Sequence, residues 1–411
     1  MPSAFAQKKL RVYDAQPVGA VVQSPINLET ATNGQWIALD GRDVIRNAYP
    51  ELSPYFPAGV FTGTNRSLNG APVVTAIAAD TTNFLAANPA GTTPIQASSN
   101  GVSWVTDGGA TWAAATSPAS IIVAGTRYVM AGSGGDLTQP YVSNTGQTAA
   151  NQCVKANWTV TSGGATPITT LIQGLAYGST ANAGSGRTVL CRDPSLATAS
   201  GLFYMDDGAT AWNACSGGST ATRAGICWTG QKFFVLTSTQ NAQISSDGAT
   251  FSDTQVPYAY GTRIASDGNG TIVITLNTAN CGAVLVSKDH GASWRKSFLP
   301  TEVPVPTDSF ARLNYVNNKF IYTTNSGNAF MSSDGLSWVV EPYENRAAFT
   351  GNNRRSIAYK AGVYVGIETG ANATSWTEDL SKFRVIAAVR TATDLMLNGA
   401  ISNTYIKARS N

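Results

Sequence analysis

From about residue 72 onward, the chain repeats a short run in which apolar and small residues alternate, each run following a tight turn. Seven runs carry the pattern: NFLAAN at Asn83, RYVMAG at Arg127, RTVLCR at Arg187, KFFVLT at Lys232, TIVITL at Thr271, KFIYTT at Lys319 and VYVGIE at Val363. Alternation with a period of two residues is typical of a β-strand, and helical periodicity is nearly absent here. The pattern predicts seven β-modules between about residues 72 and 388, in which these runs are inner strands.

A second pattern marks a turn in most modules: a hydroxyl residue, then Asp or Asn, Gly, a small residue, Ser or Thr, and an aromatic residue. Clear copies are SSNGVSW ending at Trp104, SSDGATF ending at Phe251, SSDGLSW ending at Trp338 and the one-residue-longer SKDHGASW ending at Trp294. VTDGGATW, ending at Trp112, has the longer spacing with Val105 in place of the hydroxyl residue, and DDGATAW and TEDLSKF, ending at Trp212 and Phe383, are degenerate.

The residue types in this motif are those that a tight hairpin turn requires. Asp or Asn accepts hydrogen bonds from backbone N–H groups of its own turn, and Gly adopts a positive φ without steric cost. The hydroxyl residues satisfy further local donors, and the aromatic residue packs in the core. We therefore expect Asn100, Asp107, Asp207, Asp247, Asp289 and Asp334 to be structural turn residues, and the motif tryptophans to be core residues rather than carbohydrate platforms. Trp228 and Trp376 fall outside the motif and are better surface candidates.

This motif resembles the Asp box (BNR repeat) of sialidases, sortilin-like receptors and related propellers. The steps from Phe251 to Trp294, Trp338 and Phe383 are 43 to 45 residues, the length of one four-stranded propeller blade. Resemblance and spacing together imply an all-β fold, a seven- or eight-bladed β-propeller of four-stranded antiparallel blades over residues 71–411.

The C-terminus adds half a module, because Leu395–Arg409 aligns with Ala311–Thr324. The segment Thr30–Gly41 resembles the motif near Trp104, so the N-terminus could supply the missing strands and protect the free sheet edges. This arrangement gives eight blades, one of them shared between the termini. The alternative is seven blades with a C-terminal extension.

Residues 1–70 differ in character from the repeats. The stretch Gln35–Pro57 resembles the tail-collar motif of bacteriophage fibre proteins, in which a Trp-containing strand precedes a D-G-R turn and a Y-P-x-L segment. The matching residues are Trp36, Asp40, Gly41, Arg42, Ala48, Tyr49, Pro50 and Leu52. The stretch lacks the Cys that often precedes Asp-Gly and the Gly-rich end that usually follows. The resemblance implies that residues 1–70 are a short attachment segment.

Composition excludes several classes of partner. Charged residues are 12% of the chain, the formal net charge is +3, and no Lys/Arg cluster occurs, so we expect no nucleic-acid binding. No apolar run reaches 18 residues and Met1–Arg11 has no apolar core, so we expect no membrane insertion and no cleaved secretion signal. The five scattered cysteines are typical of buried free thiols in a reducing compartment, not of disulfides or a zinc site.

The sequence provides no recognisable catalytic constellation. A sialidase site needs an arginine triad, a Tyr nucleophile with a Glu partner and an Asp acid/base, and the nearest match to its F/Y-R-I-P motif is CRDP at Cys191. The acids outside the turns, including Glu51, Glu302, Glu341, Glu344, Glu368 and Glu378, form no pattern of paired carboxylates. His290, the single histidine, argues against a Ser-His-Asp triad or a multi-histidine metal site and is expected on a surface turn. We expect no catalytic residues, no cofactor and no metal.

These observations favour a non-catalytic structural or binding component of a tailed-phage virion, a tail or collar fibre protein assembled in the host cytoplasm. Its expected partners are other virion proteins, through the N-terminal segment, and a host-surface glycan or protein. Two alternatives stay open. One is a glycan-processing hydrolase with a non-standard sialidase-like site, and the other is a cellular Asp-box scaffold for assembly.

Overall fold

A computed structural model of the chain describes residues 21–23, 35–38, 40–45, 48–51, 60–67, 76–87, 95–106, 112, 117–133, 139–163, 172–179, 186–192, 201–237, 241–257, 263–276, 282–299, 312–323, 329–340, 356–367, 372–379, 382–386 and 404–407. Over these residues the fold is an all-β propeller of mostly antiparallel strands. Helical structure among them is limited to α1 (Ala149–Cys153) and short 3-10 turns such as Lys155–Asn157. No helix in these ranges is long and apolar enough to cross a membrane.

The strands fall into a terminal group and a set of consecutive sheets. The N-terminal strands are β1 (Val21–Gln23), β2 (Trp36–Ala38), β3 (Asp40–Ile45) and β4 (Val60–Ser67). Sheet A comprises β5 (Ala76–Ala79), β6 (Phe84–Ala87) and β7 (Ile95–Ser98), and blade B comprises β8 (Ser117–Ala124), β9 (Arg127–Ser133), β10 (Tyr141–Asn144) and β11 (Thr159–Val160). Blade C comprises β12 (Ser162–Gly163), β13 (Ile172–Ser179), β14 (Gly186–Arg192), β15 (Leu202–Asp206) and β16 (Ala211–Ala214).

The second half continues in the same order. Blade D comprises β17 (Ser216–Gly217), β18 (Arg223–Trp228), β19 (Phe233–Thr237), β20 (Asn241–Ser245) and β21 (Thr250–Gln255), and blade E comprises β22 (Ile264–Ser266), β23 (Ile272–Thr275), β24 (Ala283–Ser287) and β25 (Arg295–Phe298). Blade F comprises β26 (Arg312–Val316), β27 (Lys319–Thr323), β28 (Ala329–Ser332) and β29 (Val339–Val340). Blade G contains β30 (Ser356–Lys360), β31 (Val363–Ile367), β32 (Asn372–Asp379) and the N-terminal strand β4. The last two strands are β33 (Lys382–Ile386) and β34 (Thr404–Lys407).

The first strands of the sheets form a closed ring. Each contacts the first strand of the next sheet, in the order β5, β8, β13, β18, β22, β26 and β30, and β30 contacts β5 again. The seven alternating runs that the sequence singles out are all strands, and each is the second strand of its sheet, next to the first strand.

Second strands are buried on both faces, because each blade lies between two neighbours. In β19, Phe233 and Val235 pack in a cluster with Val189 of blade C, whereas Phe234 and Leu236 pack with Ile272 of blade E. Alternate side chains of a strand point to opposite faces, so one five-residue strand joins three blades. Truncating such a fully buried Phe to Ala typically costs about 3–5 kcal/mol.

The number of four-stranded blades is lower than the seven or eight predicted. Six sheets, blades B to G, have four or five strands, and sheet A has three. In sheet A the residue after the turn, Val105, forms only an isolated bridge with Ala97, so the described residues contain no fourth strand. The predicted eighth blade is absent from the described residues as well, because β34 pairs with β1 and β2 in a separate three-stranded terminal sheet. Leu395–Ala400 lies outside the described residues.

The N-terminal strands are interleaved with the C-terminal ones. Strand β4 pairs along its whole length with β32, from Val60 with Asp379 to Ser67 with Asn372, and β3 pairs with β33. The predicted boundary between residues 1–70 and 71–411 therefore separates strands that share one sheet. Shared sheets of this kind remove free strand edges from the last blade.

Linker residues cover two further edges. After blade B, β12 pairs in parallel with β16, the outer strand of blade C, and after blade C, β17 pairs in parallel with β21 of blade D. The segment that leaves one blade thus becomes the fifth strand of the next. This arrangement occupies backbone groups that an exposed edge would leave open to another chain.

Candidate functional site: turns and an arginine crescent

Four turns between the third and fourth strand positions share one hydrogen-bond pattern, and we call them the serine–aspartate turns: 98–104, 245–251, 287–294 and 332–338. In the second of them, Oδ1 of Asp247 accepts hydrogen bonds from the backbone N–H groups of Ala249 and Thr250, each at 2.8 Å. The buried Ser245 hydroxyl accepts from the N–H of Gly248 at 2.7 Å and donates to Oδ1 of Asp247 at 2.8 Å. The acid and the serine thus satisfy three backbone donors of one short turn.

The other three turns repeat these contacts. Asn100 accepts from Val102 N–H at 2.8 Å and Ser103 N–H at 3.0 Å, and Asp334 accepts from Leu336 and Ser337 N–H, each at 2.8 Å. Asp289, in the longer turn, accepts from Ser293 N–H at 2.8 Å. In each of these residues one side-chain oxygen accepts hydrogen bonds from the residue's own turn.

The turn glycines lie against the preceding blade, which explains why no other residue fits. Gly248 has φ of +71°, and a Cβ there would lie 2.8 Å from the Phe233 ring and 2.9 Å from Cδ of Arg187 in blade C. Gly335 has φ of +75°, and a Cβ would lie 2.8 Å from Val273 in blade E. Both the left-handed backbone and the close contact require glycine. The turns therefore hold neighbouring blades in contact.

Asp207 differs from the other turn acids. Its Oδ2 accepts from the Tyr177 hydroxyl at 2.7 Å and from the N–H of Gly186 at 3.0 Å, both in the first hairpin of the same blade. Met205 occupies the register position that Ser245 has in blade D, so the serine contact cannot form. The described contacts of Asp207 therefore join the strand ends of the first hairpin to the turn. Asp107 lies outside the described residues.

The hydrogen bonds lower the pKa values of the turn acids. Donation by the Ser293 hydroxyl and backbone N–H lowers the pKa of Asp289 to about 2. For Asp247 and Asp334, partial burial raises the pKa, but the backbone and serine hydrogen bonds outweigh it, so the net shift is downward. The turns are therefore most stable with ionised acids.

Two polar groups of blade C form the arrangement most similar to a hydrolase site. The Tyr177 hydroxyl donates to Asp207 at 2.7 Å on the side of blade B. On the side of blade D, Nε of Arg187 contacts Oδ1 of Asp206 at 2.6 Å and its Nη1 donates to the Asp247 carbonyl. The Tyr177 pKa is raised to about 12, chiefly by burial and by donation to Asp207. A tyrosine nucleophile needs an accessible phenolate, which this environment disfavours.

His290 is more enclosed than a surface turn residue. It is half-buried with φ of +57°, and its Nδ1 lies 3.2 Å from the Thr229 hydroxyl of blade D. The imidazole therefore joins two blades, contrary to the predicted free surface position.

The described cysteines and tryptophans lie mainly in the core. Cys153, Cys191, Cys215 and Cys227 are buried free thiols, and Cys281 lies outside the described residues. Burial raises the pKa of Cys191 and of Cys215 to about 12, so neither thiol is activated. Trp104, Trp112, Trp212 and Trp338 are buried, Trp294 and Trp228 are partly buried, and nothing is described of the Trp376 side chain. No group of metal-ligating residues occurs within the described ranges.

Four arginines share one edge of four successive blades, and we call them the arginine crescent: Arg192, Arg223, Arg263 and Arg312. Arg223 and Arg312 open the first strands of blades D and F, and Arg263 directly precedes the first strand of blade E. Arg192 ends the second strand of blade C opposite the start of β13, at Ile172. Since equivalent strands of a propeller run in the same direction, all four lie on the face opposite the serine–aspartate turns.

Two members of the crescent are buried and two are half-buried. Arg223 is 1% exposed, and its Nη2 donates to Gln243 Oε1 at 3.1 Å and to the Ser219 carbonyl at 3.2 Å. Arg192 stacks on the Phe203 ring at 5.1 Å, and burial lowers its pKa. A Cβ on Gly201 would lie 2.7 Å from Nη1 of Arg223, so glycine admits this guanidinium between blades C and D. Arg263 and Arg312 are half-buried and keep contact with solvent.

The described acids lie mostly on the other face. Asp80, Asp206, Asp207, Asp247, Asp267, Asp289 and Asp334 all follow strand ends at the turn face. Near the crescent is Asp253, whose Oδ1 accepts from Gln243 Nε2 at 3.2 Å and Ser219 N–H at 3.0 Å. The first strands of the remaining sheets begin on this face at Ala76, Ser117 and Ser356.

Sequence reasoning missed the crescent. Its signal is present, because an arginine opens or precedes the first strand in three successive modules: RAGICW at Arg223, RIAS at Arg263 and RLNYV at Arg312. Basic clusters are usually recognised by adjacent Lys and Arg residues, whereas these arginines are far apart in sequence and the ring brings them onto one face.

Comparisons with known proteins support the fold. No family model matches the chain, and no curated protein matches its sequence. The solved structures that resemble it include virginiamycin B lyase from Staphylococcus aureus, with a TM-score of 0.56 at 6% identity over 78% of this chain and 100% of that chain. YCF48 bound to D1 peptide has a TM-score of 0.53 at 11% identity, covering 77% and 97%. PorZ, a surface component of the type-IX secretion system of Porphyromonas gingivalis, has a TM-score of 0.51 at 11% identity, covering 81% and 40%. At these identities the likeness shows a β-propeller and nothing more specific.

Proposed function

We propose that this propeller is a non-catalytic binding component of a tailed-phage virion, attached through its N-terminal segment. The observation that carries the proposal is the interleaving of that segment with the C-terminal strands, in the pairs β2 with β34, β3 with β33 and β4 with β32. Backbone pairing along three strands transmits force between an attachment point and the ring. The stretch Gln35–Pro57, which resembles the tail-collar motif, contains two of these strands.

We also propose that the serine–aspartate turns are Asp boxes. The repeated contacts of Ser245 and Asp247, and of Ser332 and Asp334, support this assignment. In this interpretation the turn acids stabilise the ring and take no part in ligand binding. The Oδ1 atoms of Asp247 and Asp334 accept from backbone donors of their own turns, which agrees with a structural role.

The β-propeller fold is compatible with both binding and catalysis. Among its structural neighbours, one is a lyase and another is a protein bound to a peptide, so the choice rests on the chain's own residues. The hydrogen-bonded turn acids and the raised pKa of Tyr177 favour binding.

Purified virions provide the direct test. If the neighbouring genes encode phage structural proteins, the chain should be found by mass spectrometry in gradient-purified particles, and antibodies against the ring should label the tail or collar in electron micrographs. A protein that is absent from intact particles but abundant in the lysate would contradict the proposal. A particle whose copy of this protein lacks residues 1–20 should have lost the ring as well, which tests attachment apart from folding because this deletion removes no described strand.

The hydrolase remains a second candidate because the Tyr177 hydroxyl donates to Asp207, a tyrosine–carboxylate pair in the blade that also carries Arg187. It predicts release of reducing sugar from a bacterial surface glycan by the purified protein, and loss of that release in Tyr177→Phe without a change in melting temperature. A purified chain that binds glycan without cleaving it would exclude this candidate.

A further inference from the structure

Four aromatic residues occupy equivalent positions in four blades, and we call them the rim aromatics: Tyr177, Trp228, Tyr315 and Tyr359. Each lies near the end of the first strand of its blade, opposite a buried residue near the start of the second strand, as Trp228 lies opposite Phe233. The first strands form the inner ring of the propeller, so these positions surround the mouth of the central channel on the turn face. All four side chains are half-buried and keep contact with solvent.

Three of the rim aromatics also have a polar atom without a partner. The indole N–H of Trp228 and the hydroxyl groups of Tyr315 and Tyr359 reach solvent, and none of them has a hydrogen-bond partner within the described residues. Tyr177 differs, because its hydroxyl donates to Asp207 at 2.7 Å and so stabilises the fold. The other three residues therefore combine a partly exposed ring with a hydrogen-bonding group that is available to a ligand.

The core holds these three rings in fixed orientations. Trp228 packs on Gly178 of blade C, where a Cβ would lie only 2.1 Å from the indole. Each of the three rings also packs against an aromatic residue of the neighbouring second strand, with the two centroids 4.7 Å apart. A ring that is already held in place loses little conformational entropy when a ligand binds. The three pairs are Trp228 with Phe233, Tyr315 with Phe320 and Tyr359 with Tyr364, at interplanar angles of 52°, 54° and 55°.

We propose that Trp228, Tyr315 and Tyr359 bind an uncharged glycan by stacking against its sugar rings. The inference deepens the binding role proposed above and rests on it, but it does not require the protein to be viral. The apolar face of a sugar ring packs on an aromatic ring, and the indole N–H and the tyrosine hydroxyls form hydrogen bonds with the sugar hydroxyls. Because the three residues belong to blades D, F and G, an oligosaccharide reaches more of them than a single sugar does.

The polar groups beside the rings favour a ligand with hydroxyl groups over an anionic ligand. Burial and the nearby carboxylate of Asp267 raise the pKa of Tyr315. Oδ1 of Asp267 accepts from the N–H groups of Asn269 and Thr271, whereas its Oδ2 has no hydrogen-bond partner within the described residues. A carboxylate oxygen in this position accepts a hydrogen bond from a sugar hydroxyl and repels a phosphate group. This local charge favours a neutral glycan over a nucleic acid, whose bases also stack on aromatic rings.

The distribution of the rings disfavours a peptide. Proline-rich peptides bind aromatic residues, but they dock in one continuous groove that these residues line. The three residues lie in different blades, and blade E has Ser266 at the equivalent position. The rings therefore form separate platforms around the channel mouth, which suit the successive rings of an oligosaccharide.

The test is direct binding by the purified full chain, measured by calorimetry with three neutral probes: cellohexaose, maltohexaose and the hexamer of N-acetylglucosamine. We expect at least one probe to bind, with an affinity that changes little between low and physiological ionic strength, because the ligand carries no charge. Binding should also change the tryptophan fluorescence of the wild-type chain. That change should be absent from Trp228→Leu, because Trp228 is the tryptophan that contacts the sugar.

Matched variants locate the site. Tyr315→Leu and Tyr359→Leu keep an apolar side chain against the core but remove the ring and its hydroxyl, and each should weaken binding by roughly threefold to tenfold. Phe298→Leu makes the same kind of change at a residue that is 70% exposed on the outer strand of blade E, and should change affinity by less than about twofold. Melting temperatures show which variants are folded, and Tyr359→Leu alone locates the site if Tyr315→Leu is not folded.

Three results would overturn the inference. Failure of the wild-type chain to bind any of the three oligosaccharides at millimolar concentration would remove the site. Equal weakening in Phe298→Leu and Tyr315→Leu would place the binding site elsewhere. Tighter binding of oligothymidylate or of poly-proline than of every oligosaccharide would assign the rings to a nucleic acid or to a peptide. None of these results depends on whether the chain is found in virions, so the two proposals fail separately.

Discussion

Blades D and G share the order of their first four strands but are built in different ways. Blade D is formed by one continuous stretch from Ser216 to Gln255, and the turn at Asp247 joins its third and fourth strands. Blade G takes three strands from Ser356–Asp379 and its fourth, β4, from Val60–Ser67 at the other end of the chain. A local turn closes blade D at little entropic cost. Blade G forms only when strands from the two ends of the chain are brought together, which costs more entropy because the closed loop is long. Blade G therefore makes the stability of the ring depend on its two ends.

The largest expected effect follows from removing the N-terminal strands. Deletion of residues 1–67 eliminates β1 to β4, leaves β32 without its described outer partner and should reduce the free energy of unfolding by about 5 kcal/mol or more, comparable to the whole stability of many domains. Urea unfolding followed by tryptophan fluorescence measures the change. Deletion of residues 1–20 is the control, because it precedes the first described strand. If both truncated chains unfold at the same urea concentration, strand β4 does not close the ring.

A smaller effect is expected from deletion of residues 393–411. This change removes β34, which lies between β1 and β2 in the terminal sheet, but leaves β4 in blade G. The free energy of unfolding should fall by roughly 2–3 kcal/mol, within the usual range for loss of a paired strand, and aggregation should increase because two edges become open. Hydrogen exchange should show unchanged protection in β19 and β23. Loss of protection throughout the ring would show that the terminal sheet closes the propeller.

The contrast between the two blades also explains what the sequence could predict. Local features could be predicted from the sequence. The alternating runs at Lys232 and Lys319 are strands, and the contacts of Asp247 and Asp334 follow from short-range turn chemistry. Pairing between distant segments could be predicted only in part. The sequence suggested that Trp36 meets the C-terminal strands, and β2 does pair with β34, but β4 carries no motif that assigns it to blade G.

The arginine crescent shows the same limitation. Arg223, Arg263 and Arg312 are separated by about 40 residues or more in sequence, and only the ring brings them onto one face. Blade number was overestimated for a similar reason, because counting repeated runs does not reveal whether each sheet gains a fourth strand. Residues that share a face of the ring are therefore recognised by their equivalent positions in successive repeats, not by their proximity in sequence.

In blades that are formed by one continuous stretch of chain, substitution of the turn glycines should lower the free energy of unfolding. Gly248→Ala places a methyl group against Phe233 and Arg187 at a positive φ, and should cost about 2–4 kcal/mol from steric overlap and backbone strain combined. Gly208→Ala is a matched control, since its φ is +80° but nothing lies within 4 Å of the added atom, so only the backbone cost of about 1 kcal/mol applies. Thermal unfolding of both variants measures the difference. Equal losses would mean that the turn does not contact blade C as described.

The smallest expected effect concerns the charge of one turn. The pKa of Asp289 in the folded chain is about 2, below the ordinary value of about 3.9, so ionisation of this group stabilises the folded state. That contribution is fully present above pH of about 4 and is lost as the pH falls towards 2. Asp289→Asn should therefore flatten the dependence of the melting temperature on pH in this interval while leaving the turn closed at neutral pH. Asn100 supports this expectation, because an amide oxygen there accepts backbone hydrogen bonds from its own turn without a charge. Scans of wild type and variant at several pH values between 2 and 6 give the comparison. A variant whose melting temperature falls as steeply as that of the wild type would place the acid sensitivity elsewhere, with the terminal sheet and blade G as the next regions to test.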